Sequence, residues 1–462
     1  MKGKKEFSLK NNIVRVLSAN FWVAMIGFVN SLIFPKILSI ESYALYHSFT
    51  LYLSYITILH LGFPSGMVIN YAGQDYDEIN REQYKSEMRL LIYILGGFTG
   101  LFALLYVFTQ DKMVGYIALV VIPVGLVGSY KALLQAWSRF KAFSRISTIA
   151  TTAVPMVALL YYFITGDLPG DIYIIIYLVV NWVITIAVAA EIIKKVHGVK
   201  SNKIFSLQNK QTEKAGIVMV LGNYINTLFV SADKQFVQWF FGEKEFAFYS
   251  FGISMQALMT VFITSIAQPL FPAMAQKRFE DKEYGYIKSL LFSFGAFSGC
   301  AYFATAIIVK FFIQKYTSSL DVVGIYFVVF PAMAVINCLY INLYKIKGMM
   351  KEYVQTLTGI LITAIALNTL FINILDHYAG VAIATVITYY IWLVVGSLQF
   401  EFLRLKMKDI IFLVIYTVEF FIIKNASNDF MGLLLNFLFV MVLVIIFYGG
   451  DLKILIKKKS MR

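Results

Sequence analysis

A row of polar residues inside one long apolar segment is the part of this sequence best suited to bind a ligand. Asn223, Thr227, Ser231, Lys234 and Gln238 fall within about 80° of one another when they are placed on an α-helix at about 100° per residue. Amide, hydroxyl and ammonium groups are costly in lipid, so a membrane-spanning helix usually turns them towards a cavity or another helix. The pattern predicts one water-facing side on this helix.

Three basic residues within apolar segments are candidates for binding an anion. Lys234 lies deep in its segment, whereas Arg15 and Lys131 lie nearer the ends of theirs. Cationic side chains from three helices around one cavity would attract a phosphate or diphosphate. Arg15 and Lys131 fit equally well as side chains that extend to lipid headgroups. The predicted substrate-binding set is Arg15, Lys131, Asn223, Thr227, Ser231 and Lys234.

Asp233 is a candidate for coupling to an ion gradient. It neighbours Lys234 in sequence but points about 100° away from it, so the two side chains do not form a ready ion pair. A carboxylate in an apolar segment either binds a coupling cation, here Na⁺ or H⁺, or pairs with a base on another helix. Both interpretations remain open from the sequence.

Motifs of enzymatic chemistry do not occur. The sequence has no GxxxxGK[ST] phosphate loop, no HExxH and no paired cysteines, and it has no large loop that could hold a catalytic domain. Its two cysteines, Cys300 and Cys338, lie in apolar segments and are expected to serve packing. We therefore expect a protein that is not an enzyme and that has no cofactor and no metal site.

Composition places the chain in a membrane. Of its 462 residues, 59% are hydrophobic and 14% are charged, and the mean hydropathy is +0.73. About fourteen apolar segments are long enough to cross a hydrocarbon core of roughly 30 Å as helices. The predicted spans include residues 43–71 as the second and residues 321–344 as the tenth.

The basic residues behind the net charge of +14 alternate along the chain. Most Lys and Arg residues lie in every second connecting segment, whereas intervening loops such as residues 166–171 carry few or none. This alternation follows the positive-inside rule and predicts that both termini are cytoplasmic. Nucleic acid is therefore not an expected partner.

The sequence around the polar row repeats the start of the chain. At a shift of about 203 positions the matching pairs are Asn223 with Asn20, Asp233 with Asn30, Phe246–Tyr249 with Tyr43–Tyr46, and Lys288 with Lys85. The glycine pair Gly96/Gly100 similarly matches Gly295/Gly299, and Pro123 matches Pro331. The chain is thus predicted to be a duplication.

The predicted fold is an all-α integral membrane protein of about 14 transmembrane helices. Two six-helix bundles are related by a pseudo-two-fold axis along the membrane normal, and two extra helices follow at the C-terminus. The predicted divisions are an N-terminal lobe (1–193), a cytoplasmic linker (194–214), a C-terminal lobe (215–400), and the extra helices with a basic tail (401–462).

Several of these segments resemble one family. The segment Ile37–Tyr46, the triplet Leu61–Phe63, and Asp233 followed by Phe241-Gly242 and Phe246–Tyr249 are similar to the Wzx-type polysaccharide repeat-unit (O-antigen) flippases. These belong to the multidrug/oligosaccharidyl-lipid/polysaccharide exporter superfamily. The resemblance covers roughly residues 10–400.

The resemblance implies two bundles around a cationic cavity in the bacterial inner membrane. Such a protein moves undecaprenyl-diphosphate-linked oligosaccharide to the outer leaflet by alternating access, for O-antigen, lipopolysaccharide or another surface polysaccharide. An ion gradient drives it, and a polymerase is a candidate partner. Lys234 matches Ser31 in the first repeat, so the charge of the cavity would be asymmetric.

Two other functions remain to be compared with this one. An ion-coupled multidrug antiporter of the same fold would have an acidic cavity, whereas few carboxylates lie in the apolar segments. A membrane oligosaccharide polymerase would need a long outer loop that carries its catalytic residues, and the predicted outer loops are short.

Overall fold

The computed structural model describes residues 25–200, 207–276 and 279–460, and these are helical with short connections. Arg15 lies outside the described residues. Contacts divide the chain into two compact units, Met1–Ser231 and Ala232–Arg462. The division falls inside a helix, beyond the polar segment 194–214 at which the sequence placed the boundary between lobes.

Unit 1 is built from seven helices and most of an eighth within its described residues. They are α1 (Met25–Ile37), α2 (Ile40–Ile56), α3 (Phe63–Tyr71), α4 (Arg81–Thr109), α5 (Lys112–Ala136), α6 (Phe140–Thr165), α7 (Gly170–Val196) and α8 (Leu207–Phe240), which continues into unit 2. Side-chain caps set several starts: Asn80 accepts hydrogen bonds from the amides of Glu82 and Gln83, and Asp111 from that of Met113.

Unit 2 contains the remaining helices. They are α9 (Glu243–Gln276), α10 (Asp281–Ala296), α11 (Ser298–Phe312), α12 (Leu320–Phe327), α13 (Phe330–Val335), α14 (Ile341–Ile346), α15 (Met350–Leu375), α16 (Ala379–Gln399), α17 (Met407–Ala426) and α18 (Asp429–Ser460). A single π-helical turn, Ile336–Tyr340, joins α13 to α14.

The all-helical membrane fold is confirmed, and within the described residues each predicted span lies on one helix or on consecutive helices separated by a short break. Nine helices among these residues are long and apolar enough to cross a membrane, and a bent pair makes a tenth. Exposed apolar side chains cover such helices, as at Phe108, which is 82% exposed on α4. In water this surface would be unfavourable, so it marks contact with lipid.

Two predicted spans are broken rather than continuous. Residues 43–71 form α2 and α3, separated by a turn in which Leu61 and Gly62 have φ of 50° and 78°. Residues 321–344 bend by 52° between Gln314–Phe327 and Phe330–Ile346, at Pro331. Pro123, the matching proline of the first repeat, lies inside the unbroken α5. Sequence hydropathy does not distinguish these cases, because both prolines lie in apolar runs.

The first turns of α8 are held to α3 and α4 by a buried polar cluster. Glu87 accepts hydrogen bonds from the Tyr71 hydroxyl (2.6 Å), the Gln83 amide (3.0 Å) and the Thr212 hydroxyl (3.1 Å). Asn209 accepts from Gln83 at 2.7 Å. The end of the predicted linker, from residue 207 onwards, is therefore a docked helix in the structure.

Glycines let α3 and α8 approach closely beside this cluster. A Cβ atom on Gly66 would overlap the Thr212 carbonyl oxygen, and one on Gly216 would overlap that of Gly62. Backbone rather than flexible side chain lies at each contact, so neither helix can relax locally to admit a methyl group.

We expect Gly66→Ala to destabilise the protein by about 1–3 kcal/mol, because α3 and α8 must separate to admit the new Cβ. Thermal unfolding of the purified protein in detergent measures the effect. Gly128→Ala is the matched control, since a Cβ there meets no described atom within 4 Å and alanine favours the helix. Equal stability of the two variants would contradict the close packing.

The two C-terminal helices α17 and α18 are tied to α10 by charged residues. Lys288 forms an ion pair with Asp409 at 2.8 Å, and their side chains are 5% and 0% exposed. The Tyr448 hydroxyl donates to the other oxygen of Asp409 at 3.0 Å. The extra helices are therefore an integral part of unit 2.

The two predicted glycine pairs differ in their packing. A Cβ atom on Gly295 would overlap the backbone of Pro331, and one on Gly299 would lie 2.5 Å from the Asn436 side chain. At Gly96 and Gly100 a Cβ would meet no described atom within 4 Å. Only the second pair allows a close approach among the described residues.

Candidate functional site

The first part of the polar row on α8 forms a regular ladder. The Thr227 hydroxyl donates to the Asn223 carbonyl oxygen at 3.0 Å, and the Ser231 hydroxyl donates to that of Thr227 at 2.6 Å. The Asn223 side chain is exposed, whereas Ser231 is buried. Each hydroxyl is thereby satisfied by its own helix and keeps its lone pairs as acceptors.

Lys234 lies on α8 at the start of unit 2. Its side chain is partly buried, and no carboxylate oxygen of the described residues lies within 4.0 Å of its ammonium group. A partly buried ammonium without a close counter-ion retains donors for an anionic ligand.

Asp233 lies at the centre of a buried cluster of hydroxyl groups in unit 2. Its Oδ2 accepts hydrogen bonds from Tyr326 on α12 at 2.5 Å and from Tyr249 on α9 at 3.1 Å. The two tyrosine oxygens are 2.5 Å apart, and Oδ1 accepts from the Lys234 amide at 2.7 Å. Three helices thus converge on one carboxylate that is 3% exposed overall.

Both sequence interpretations of Asp233, a site for a coupling cation and a pair with a base on another helix, remain predictions. Among the described residues, no charged side-chain nitrogen of Lys, Arg or His lies within 4.0 Å of the Asp233 carboxylate, so a salt bridge to another helix is not found there. Hydrogen bonds from Tyr249, Tyr326 and the Lys234 amide offset part of the cost of burying this carboxylate, and a bound proton or cation would offset more of it. Hydroxyl and carboxylate oxygens suit a hard ion of small charge.

The tyrosine partners were missed by the sequence reasoning. Tyr249 belongs to the repeated segment Phe246–Tyr249, and this repeat was the only feature of the sequence that could have indicated its role. Tyr326 is 93 residues from Asp233 and nothing in its neighbourhood marks it. Within the described residues, no group of three or more His, Cys, Asp or Glu side chains is placed to hold a metal ion.

Lys131 lies on α5 in unit 1. It is partly buried, and its Nζ lies 5.9 Å from the centre of the Phe143 ring. No described carboxylate oxygen lies within 4.0 Å of it. Its predicted role in substrate binding, like that of Arg15, remains a prediction.

Comparisons with known proteins give one matching family and one solved structure of similar fold. A family model described as "Polysaccharide biosynthesis protein" matches residues 9–277, more than half of the chain. Among solved structures, the chain is similar to "Lipid II flippase MurJ, inward closed conformation", with a TM-score of 0.61 and 16% identity over 96% of this chain and 100% of that one. At this identity the likeness shows the fold alone. No curated protein matches significantly.

Proposed function

The chain belongs to the polysaccharide biosynthesis protein family, and from this premise we propose that it is a flippase for lipid-linked saccharides. It moves undecaprenyl-diphosphate-linked oligosaccharide repeat units from the cytoplasmic to the outer leaflet, by alternating access. The units serve O-antigen or another surface polysaccharide. A polymerase that joins them would act after it, and the chain itself catalyses no bond change.

The observation that carries this proposal is the polar row on α8. The helix α8, which contains one of the segments that the sequence predicts to span the membrane, offers amide, hydroxyl and ammonium groups in succession, and its Lys234 has no described acidic partner within 4.0 Å. Such groups replace water around a diphosphate and its sugars during transfer. The solved lipid II flippase supports the proposal by its shared fold. Arg15 and Lys131 are the further candidate cations.

The direct test is reconstitution of the purified protein into lipid vesicles. Fluorescent undecaprenyl-diphosphate-linked oligosaccharide on the inner leaflet should become accessible to an outside reagent at a rate that depends on the protein. Vesicles that scramble ordinary phospholipids equally fast, or that move only organic cations, would overturn the assignment, and the second result would favour the multidrug antiporter.

We expect both termini on the cytoplasmic side of the bacterial inner membrane, because the basic residues alternate between connecting segments. A C-terminal tag should be digested by protease only after cells are opened. A tag that is reachable from outside intact cells would contradict this topology. It would also contradict the proposed division into two six-helix lobes (1–193 and 215–400), the linker 194–214 between them, and the C-terminal residues 401–462.

Asp233 is proposed to bind the coupling ion, Na⁺ or H⁺, together with Tyr249 and Tyr326. Asp233→Asn keeps a side-chain oxygen for both hydroxyls but removes the charge that balances a cation. We expect flipping driven by an imposed ion gradient to fall at least about tenfold, with unchanged protein abundance.

Asp321→Asn is the matched control for this prediction, because Asp321 also lies in unit 2 but is 71% exposed in its pair with Lys424. The Asp321→Asn variant in vesicles should flip the substrate under an ion gradient at the same rate as the unmodified protein. An Asp233→Asn variant with the full response to both Na⁺ and H⁺ gradients would show that the cluster is only structural.

A further inference from the structure

A cavity of about 410 Å³ lies between α15 and α16 in unit 2, apart from α8 and the Asp233 cluster. Its volume is within the usual range of small-molecule sites. The polar side chains in its wall are Glu352, Gln355, Thr356 and Thr363 from α15 and Gln399 from α16. Isoleucine and valine side chains form the rest. The wall therefore combines one carboxylate, two amides and two hydroxyls with apolar surface.

Part of this wall is held rigidly. The buried Tyr344 hydroxyl donates to the Gln399 side-chain oxygen, and the Gln399 amide donates to the Thr356 hydroxyl at 2.9 Å. These contacts fix the orientation of the Gln399 amide before any ligand arrives. Ordered polar groups lose less entropy when they bind.

The opposite part of the wall is open. Glu352 and Gln355 are exposed, and neither side chain has a hydrogen bond or ion pair with the described residues. A Cβ atom on Gly359 would meet no described atom within 4 Å. The glycine thus leaves space in the cavity beside two unused polar side chains.

The polar residues follow one side of α15 through its first four turns, since Glu352, Gln355, Gly359 and Thr363 are spaced by three or four. A carboxylate and an amide facing hydrocarbon would be costly, so this side fits water better than lipid tails. Amides donate and accept, carboxylates accept from two hydroxyls, and apolar side chains cover C–H surface. This combination suits a sugar. The wall has no cationic side chain, so it does not suit a diphosphate.

We propose that the cavity between α15 and α16 binds a sugar ring of the lipid-linked substrate, separately from the groups that hold its diphosphate. The inference rests on the proposed function and adds to it a place for the saccharide. It assigns Glu352, Gln355 and Gln399 to sugar hydroxyls, and Ile360, Ile391 and Val395 to the C–H face of the ring.

The first test uses a cysteine in the cavity. Gln355→Cys is made together with Cys300→Ala and Cys338→Ala, and the protein in nanodiscs is labelled with a water-soluble maleimide. Undecaprenyl-diphosphate-linked oligosaccharide from the producing cells should slow labelling about tenfold, whereas undecaprenyl diphosphate without sugar should not. Thr358→Cys in the same background is the control, because Thr358 is exposed on α15 outside the cavity wall.

A second variant is designed to fill the cavity, since a Cβ atom on Gly359 meets no described atom within 4 Å. Gly359→Leu should weaken binding of the oligosaccharide lipid about tenfold and leave binding of undecaprenyl diphosphate unchanged. Ala366→Leu, at an exposed position further along α15, should change neither affinity.

Several results would overturn the inference. These are a Gln355→Cys thiol that water-soluble reagents do not reach, equal protection by the sugarless lipid, protection by the organic cation tetraphenylphosphonium instead, or wild-type affinity in Gly359→Leu. Normal flipping by Gly359→Leu would reject the sugar site while the proposed function stands. The opposite result is also informative. If sugar protects the Gln355→Cys thiol from labelling but the protein flips no lipid-linked oligosaccharide, the proposed function is wrong and the sugar site stands.

Discussion

Lys234→Ala is expected to slow the flipping of undecaprenyl-diphosphate-linked oligosaccharide by about tenfold to a hundredfold. A hydrogen bond to a charged group contributes about 1.5–3 kcal/mol, which corresponds to that range. The ammonium group has no described carboxylate within 4.0 Å, so its removal breaks no ion pair among the described residues. Abundance in the membrane should therefore be unchanged. Rates in reconstituted vesicles measure the effect.

Two further variants sharpen this prediction. Lys234→Arg should keep part of the rate, because the charge remains while the geometry of its donors changes. Lys244→Ala, which removes an exposed lysine at the start of α9, should leave the rate intact. A wild-type rate in Lys234→Ala, or a thiol at position 234 that water-soluble reagents cannot reach from either side, would mean that Lys234 does not face the substrate.

Asp409→Ala is expected to lower the free energy of unfolding by about 3–5 kcal/mol, because it leaves the buried Lys288 ammonium without its counter-charge. Lys288 would retain only two carbonyl acceptors, those of Leu403 at 3.2 Å and Arg404 at 3.0 Å. The Tyr448 hydroxyl would also lose its acceptor. Unfolding in mixed micelles with increasing sodium dodecyl sulfate measures the loss.

The matched control is Lys408→Ala. Lys408 also pairs with an aspartate, Asp451, at 2.8 Å, but these side chains are 37% and 23% exposed. A solvent-exposed pair contributes at most about 1 kcal/mol. The double variant Lys288→Met/Asp409→Leu should recover much of the stability, because no buried charge remains. Equal effects of Asp409→Ala and Lys408→Ala would contradict the burial of the first pair.

The three proposed sites use different groups of side chains. The ladder and Lys234 on α8 suit an anion, the Asp233 cluster suits a small cation or proton, and the cavity between α15 and α16 suits hydroxyl groups. Each assignment is tested by its own variants. The sugar site also rests on the proposed function, and its experiments are chosen so that failure of the site and failure of the function give different results.

The sequence by itself determined that the protein is an all-helical membrane protein and roughly where its apolar segments form helices. In lipid every backbone amide and carbonyl must be satisfied within its own segment, so a long apolar run has the helix as its only simple solution. The polar row on α8 was also predictable, because its spacing depends only on the geometry of one helix.

Only the tertiary structure decided which side chains meet and where helices break. Asp233 meets Tyr326 across 93 positions of sequence, and Lys288 meets Asp409 across 121. No local pattern encodes such pairs, because they depend on how separate helices pack. The same holds for α3 and α8, which approach at Gly66 and Gly216, and for Pro123 and Pro331, of which only the second lies at a bend. Packing geometry, which hydropathy and spacing do not contain, is the physical reason for the difference.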